Sequence, residues 1–435
     1  MLRRKIEGKL SEWKSRQNHK CLIVQGARQV GKTFSIREFG KKAYDEVLEI
    51  NFKKTPSASE IFSGDLDTAT IITALRFRFP EMKLQPGRTL IFLDEIQECS
   101  EAITSLKFFS DDHRYDVIAS GSLLGIDYKR PSSYPVGYTE FIRMYGLDFE
   151  EFLWAMDISE DIIDLLHGYF TEKKVVPTAI HSQLMTLFRT YMAVGGMPEV
   201  VEKYVESRDF RVADRVQHEL LQGYQYDIAH YASADEKVKA EKCYLSLSRQ
   251  LLDKENHKFQ YKEIESGARA QKYASSIEWL LKADIVQLCR RVTDIRYDLD
   301  DYARNDFFRA YTTDLSLLLA MKDIGLKQHI VETTLSGTTK GGIYECAIAD
   351  LLYKKGYTLY FYKNDHTKKE IDFLIQRDGE VIPIEVKSGN TRATSLNSIV
   401  EKNPGIRTAF KFIDGNTGTG DNAVITEPLY MAMFL

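Results

Sequence analysis

The residues best suited to chemistry begin at Gly26. The run Gly26-Ala27-Arg28-Gln29-Val30-Gly31-Lys32-Thr33 sets two glycines around four residues and closes on a lysine and a hydroxyl. It follows an apolar stretch, Cys21 to Gln25, and leads through Phe34 into an amphipathic one. Strand, loop and helix in that order put backbone amides and a helix N-terminus around a phosphate chain. The glycines permit the tight turn, Lys32 reaches the β and γ oxygens, and Thr33 offers Mg²⁺ a ligand. The expected nucleotide contacts therefore run from Gly26 to Phe34. About sixty residues further on, Leu90 to Leu93 form an apolar strand ending in Asp94-Glu95. At the carboxyl edge of a parallel sheet, Asp94 is placed to hold the metal and Glu95 to polarise the attacking water, with Lys32 sharing the catalytic work. The stretch "YDVIASGS" ends in Ser120 and Ser122. Two readings fit these serines: hydroxyls presented to the γ-phosphate, if their strand lies between the other two, or caps of a turn.

A second group of chemical residues lies near the other end. A helical stretch, "GGIYECAIADLLYKKG", bears Glu345 and precedes "YTLYFYKN", "KEIDFLI", "VIPIEVKSG" and "TAFKFI". Asp372 stands on one of these strands, and Glu385 and Lys387 follow on the next, two apart and so on one face. Asp372 and Glu385 can share a second divalent ion, Mg²⁺ or Mn²⁺, with Glu345 adding a ligand and Lys387 orienting water. Charges on strands that otherwise read as buried need a partner or a metal. An Asp372–Lys387 salt bridge meets that need without any ion.

The elements that must hold these residues follow from the pattern. Strands "EVLEINF" and "YTEFIRMY" bring the amino-terminal set to five, alternating with helical segments, which predicts a doubly wound parallel sheet. The chain has 435 residues, beyond the size at which one core keeps growing, so two or three domains are expected. Hydrophobic residues make up 43% and charged residues 28%, which excludes a disordered or collagenous chain. The net charge of −4 gives no global attraction for nucleic acid, so any such contact rests on a local patch. Five scattered cysteines, none arranged as C-x-x-C, point to buried thiols in a reducing compartment and away from zinc. No run approaches the eighteen or so apolar residues of a membrane span, and the charged start lacks an apolar core, so a cytoplasmic protein is expected.

Between the two groups the pattern is helical. In "LMTLFRTYMAVGG" Leu184, Leu187, Tyr191 and Met192 recur at helical intervals, and Gly195-Gly196-Met197-Pro198 marks a helix stop and a sharp turn. From Cys243 to Val292 the order is helix, short helix, helix and strand, which suits a winged helix. Such a fold reads DNA, contacts protein or serves as scaffold. Here the third helix carries Arg269, Lys272 and Lys282 as its only cations.

Several stretches together resemble a known family. "GARQVGKT", "TLIFLDEIQECSEAITSLKFF", "IASGSLLG", "YPVG" and "DFEEFLWA" are similar to the prokaryotic AAA-type P-loop ATPases that carry a helical and winged-helix middle and a PD-(D/E)xK nuclease-like end. "YMAVGGMPEVVEKY", "YDIAHYA" and "FRAYTTDLSLLL" extend the likeness along the chain. The resemblance implies an α/β fold in three domains: a P-loop domain at 1–150, a helical and winged-helix domain at 151–330, and a small α/β nuclease-like domain at 331–435. It gives Lys32, Thr33, Asp94 and Glu95 the Walker roles, and the Ser120–Ser122 stretch the sensor position. Tyr138 stands where relatives carry a basic residue, which implies slow or partner-dependent hydrolysis, and Ser316 where a glycine is common. Arg28, Arg114 and Arg130 are candidates for a finger in trans, each also readable as a solvated arginine.

The function expected from these readings is a Mg²⁺-dependent ATPase that couples ATP binding and hydrolysis to rearrangement of DNA- or protein-binding domains. The alternatives are a metal-dependent DNA nuclease gated by ATP, and a nucleotide-switched binding module with little turnover. Expected partners are ATP, DNA, and a protein partner or second copy of the chain, with no membrane.

Overall fold

The computed structural model describes residues 2–121, 135, 137–233, 235–252, 258–389, 391–418 and 423–435. It divides into two compact units, one built on Arg3–Gly146 with Lys282–Asp284, the other on Leu147–Leu281 and Ile285–Leu435.

In the first unit, α1 (Ile6–Ser15), β1 (Cys21–Gln25), α2 (Lys32–Ala43), β2 (Glu46–Asn51), α3 (Thr68–Arg78), β3 (Thr89–Asp94), α4 (Ser100–Asp112), β4 (Asp116–Gly121) and β5 (Thr139–Arg143) follow in order. The sheet runs β2-β3-β4-β1-β5 with every pairing parallel. This is the expected doubly wound α/β fold, and its strand order has a chemical consequence. β4 lies between β1 and β3, so the carboxyl ends of the loop-bearing, acid-bearing and serine-bearing strands stand side by side. β3 is buried along its whole length, because residues covered on both faces must be continuously apolar. On one face Ile23, Leu48, Ile91 and Leu93 pack into a core with Leu106 and Phe109 of α4.

The second unit starts with α5 (Phe149–Ala155), α6 (Glu160–Glu172), α7 (Thr178–Val194), α8 (Pro198–Ser207), α9 (Phe210–Tyr231), α10 (Lys237–Leu252) and α11 (Ala270–Lys282). Then come β6 (Val286–Val292), β7 (Ala303–Thr312), α12 (Leu315–Ala320), α13 (Ile324–Val331), α14 (Gly337–Lys354), β8 (Leu359–Lys363), β9 (Glu370–Arg377), β10 (Glu380–Lys387), α15 (Thr394–Lys402), β11 (Ala409–Ile413) and β12 (Val424–Pro428). The seven-stranded sheet runs β12-β11-β10-β9-β8-β6-β7. α10, a short turn at Tyr261–Glu263, α11 and β6 follow in the order expected from Cys243 to Val292, and β6 pairs with β7 as a hairpin. The hairpin, however, does not stand alone: β6 pairs in parallel with β8, from Cys289 opposite Leu359 to Val292 opposite Tyr362. Residues on both sides of the expected boundary at 330 therefore share one sheet. Pairing satisfies amides and carbonyls that a free hairpin edge would leave open.

The double glycine has its explanation inside this unit. Helix α7 stops at Gly195, whose φ of 77° suits glycine, and Pro198 opens α8 at its first turn. A Cβ at Gly195 would lie 2.1 Å from Ser316 Oγ, and one at Gly196 would lie 2.1 Å from the Leu147 carbonyl oxygen and 2.4 Å from Lys354 Nζ. The crowding comes from a buried ionic cluster. Lys354 Nζ donates to Asp314 Oδ2 at 2.7 Å and lies 2.9 Å from Asp350 Oδ2. The Tyr191 hydroxyl donates to Asp350 Oδ2 at 2.6 Å, and the Gly196 amide to Asp314 Oδ1 at 3.0 Å. The Leu147 amide donates to the Gly196 carbonyl at 2.6 Å. Ser316 fits the place of a common glycine because its hydroxyl donates to the Val194 carbonyl at 2.9 Å, capping the end of α7.

Among the described residues no helix is long and apolar enough to cross a membrane. All five cysteines are buried and unpaired.

Candidate nucleotide site

Strand register builds the site. Asn51 lies opposite Asp94 across β2 and β3, Leu93 opposite Ala119 across β3 and β4, and Ser120 opposite Val24 across β4 and β1. Asp94, Ser120 and Asn51 thus end at one level beneath the loop that leaves β1. The Asp94 carboxylate is 2% exposed, and such a charge needs partners to offset desolvation. It has three. Thr33 Oγ1 donates to it at 3.1 and 3.2 Å, Asn51 Nδ2 at 2.7 Å, and Ser120 Oγ closely. Asn51 escaped the sequence reading, because nothing in "EVLEIN" says which strand it will face.

The loop itself is tightly seated. Gly31 at φ 96° caps α2, Gln29 takes a left-handed φ of 62°, and a Cβ on Gly26 would lie 2.1 Å from the Met144 carbonyl oxygen. Arg4, also missed in the sequence, is buried and spans two segments: Nη1 donates to the Val30 carbonyl at 2.9 Å and Nη2 to that of Tyr145 at 2.7 Å. Ala27 and Val30 are buried, whereas Phe34 is half exposed beside the loop. Lys32 as a whole is partly covered, but its ammonium turns inward and donates to the Gly26 and Ala27 carbonyls at 2.9 and 2.7 Å. Burial lowers its pKa to about 8, against the raising influence of Glu95 and Asp94. Glu95 sits at φ 53° just past β3, and its carboxylate accepts a close hydrogen bond from Gln97 Nε2.

Other expected residues fall elsewhere. Ser122 and Arg130 lie outside the described residues. Arg114 is paired with Asp112, Nε to Oδ1 at 2.5 Å. The Tyr138 ring lies under Lys107 Nζ at 5.0 Å from its centroid, and the Tyr138 carbonyl accepts from Ser110 Oγ at 2.5 Å. Of the cations on α11, Lys272 shares Glu265 with Lys242 at 2.6 and 2.7 Å, and these two bonds hold that carboxyl down to about 2.

The second acidic group lies within the second unit. Lys387 pairs with Glu385 at 2.6 Å, not with Asp372. Asp372 Oδ2 accepts from the Val386 amide at 2.8 Å, while the other Glu385 oxygen, Oε2, is buried without a hydrogen-bond partner. Glu345, expected to face an ion from its helix, is held instead by Arg309 Nη1 at 2.7 Å and the Tyr311 hydroxyl at 2.6 Å. Two donors from β7 meet the charge that the sequence left for a metal. Among the described residues, no group of three or more His, Cys, Asp or Glu side chains is placed to hold a metal ion.

A parallel sheet with the serine strand inserted between the loop strand and the acid strand defines a P-loop α/β fold of the AAA type. Residues 18–153 match the family described as an AAA domain, and the first unit is an AAA-type P-loop domain. Residues 185–328 and 340–426 match two separate domains of unknown function. Nothing among curated proteins matches the chain. Solved structures similar to it include the Aeropyrum pernix Orc1 protein in complex with DNA, at 13% identity and TM-score 0.29, covering 77% of this chain and 95% of that one. AMPPCP-bound DnaA from Aquifex aeolicus is similar at 11% identity and TM-score 0.29, covering 63% and 85%. PCH-2 of C. elegans is similar at 12% identity and TM-score 0.23, covering 37% of this chain and 46% of that one.

Proposed function

We propose that the chain is a Mg²⁺-dependent ATPase whose nucleotide cycle drives rearrangement of the regions beyond its P-loop domain. The observation that carries this reading is the Thr33 hydroxyl resting on the Asp94 carboxylate, which joins the β1 loop to the end of β3. A hydroxyl and a carboxylate are the hard oxygen donors that Mg²⁺ prefers, so the residues present fit the ion. Thr33 and Asp94 would hold the ion, which would neutralise charge on the phosphates. The rest falls to the chain. The ammonium of Lys32 leaves the loop carbonyls for the β and γ oxygens, Ser120 and Asn51 keep Asp94 oriented, and Glu95 takes the proton of the attacking water. Phosphate release that requires Mg²⁺ and is lost in Lys32→Ala tests the proposal; equal release by that variant removes Lys32 from the site.

Proton linkage gives an independent expectation. The triphosphate binds the ammonium form of Lys32, which the free protein holds fully only below pH 8. Above that, binding must take up a proton, so Kd for Mg·ATP rises with pH by up to about tenfold per unit. Calorimetry at pH 9 in buffers of different ionisation enthalpy should show this uptake as a buffer-dependent heat.

Metal-dependent DNA cleavage at Asp372, Glu385 and Lys387 has the unpartnered Glu385 oxygen in its favour. It has less support than the ATPase reading, because Glu345 is already held by Arg309 and Tyr311.

A further inference from the structure

Gln97 stands in the single turn Ile96–Glu98 that follows β3, with its side chain 3% exposed. Its amide nitrogen is spent on Glu95 Oε2, while its amide oxygen is buried without a hydrogen-bond partner. A buried acceptor left bare is costly; Gln217 and Gln287 carry such an oxygen too, but their nitrogens go to backbone carbonyls, whereas that of Gln97 goes to the acid that follows β3. The backbone around it is also unusual. Glu95 adopts φ 53°, ψ 45°, a left-handed conformation that a non-glycine residue keeps only where its surroundings impose it, and such residues cluster at functional sites. Among the charges that raise the Lys32 pKa, Glu95 has the largest influence.

We propose that Gln97 is a positioning residue for ATP hydrolysis, fixing the Glu95 carboxylate toward the γ-phosphate and offering its free amide oxygen to the water that Glu95 activates. The oxygen is covered in this structure, so nucleotide binding must open the turn enough to admit a water between it and the carboxylate that its nitrogen holds. A water between them donates one hydrogen to Glu95, which becomes its proton acceptor, and the other to Gln97. The water's oxygen lone pair is then free to form a bond to the γ-phosphorus as the bond to the bridging oxygen breaks and ADP leaves. This inference rests on the ATPase reading, and on Glu95 as the base within it.

The test is phosphate release by the full chain as a function of pH, with calorimetric Mg·ATP binding, for wild type, Gln97→Ala, Gln97→Glu and Lys32→Ala. Gln97→Ala should lower kcat by about tenfold or more, a share of what a positioned base supplies, with KM little changed. The isosteric Gln97→Glu sets a like charge beside Glu95, raises the pKa of that base, and should move the acid limb of the kcat profile up by about one pH unit or more. A merely structural glutamine would not move that limb. If Gln97→Ala fails to fold, Gln97→Glu carries the test by itself. Wild-type kcat and an unmoved pH profile in the Gln97 variants, or a raised kcat, overturn the proposal while leaving the ATPase reading intact. Absence of Lys32-dependent phosphate release from the wild type overturns both.

Discussion

Glu95→Gln is expected to slow ATP turnover by about 10²–10⁴-fold, the usual worth of a positioned general base, while Mg·ATP still binds. The two effects separate because binding and catalysis draw on different atoms. On the proposed reading, binding draws on the loop amides, Lys32, and the Thr33–Asp94 pair, whose hydroxyl and carboxylate already meet at 3.1 Å. Glu95 lies beyond that pair, in its left-handed turn, and is held by Gln97. Changing one carboxylate oxygen to an amide keeps the shape and removes the basicity. Phosphate release and calorimetric titration on the same preparation check the expectation. Turnover at the wild-type rate assigns the base elsewhere, whereas lost binding makes Glu95 part of the nucleotide contact.

Lys354→Ala is expected to destabilise the second unit by about 3–5 kcal/mol, the cost of leaving buried charges without their partner. The Lys354 side chain is 1% exposed, and those of Asp314 and Asp350 are 2% exposed each. Even with the lysine in place, burial pushes the Asp350 carboxyl up to about 6. Without it, two carboxylates share a dry site with the Tyr191 hydroxyl on Asp350 and the Gly196 and Ser316 amides on Asp314 as donors. Either protonation or opening of the Gly195-Gly196 turn must follow. A lower urea midpoint for the second unit, with Mg·ATP affinity retained by the first, is the expected result. An unchanged midpoint makes the cluster no more than neutral.

How much of this was legible in the sequence depends on whether the signal is local. The loop from Gly26 to Thr33 and the acids after Leu90–Leu93 announce themselves, because strand, turn and helix periodicities flank them within a few residues. The expectation for Ser120 was conditional on strand order, and β4 lies where that condition required. Asn51, Arg4 and Gln97 were not visible, since each matters through a partner chosen by register or by a turn: Asp94 across β2–β3, the Val30 carbonyl, and the left-handed Glu95. Gly195-Gly196 was visible as punctuation, but its cause lies in Ser316, Asp314 and Lys354, far along the chain. The same holds for the boundary expected at 330, which parallel pairing of β6 with β8 crosses. At the second acidic group the spacing of Asp372, Glu385 and Lys387 placed them on neighbouring strands, but it could not show Arg309 reaching Glu345 from β7.

Titration of the full chain with Mg·ATP, beside Lys32→Ala, tests the proposed triphosphate site most directly. A saturable heat in the wild type that the variant lacks is the predicted result. No heat in the wild type, or the same heat in both, contradicts it.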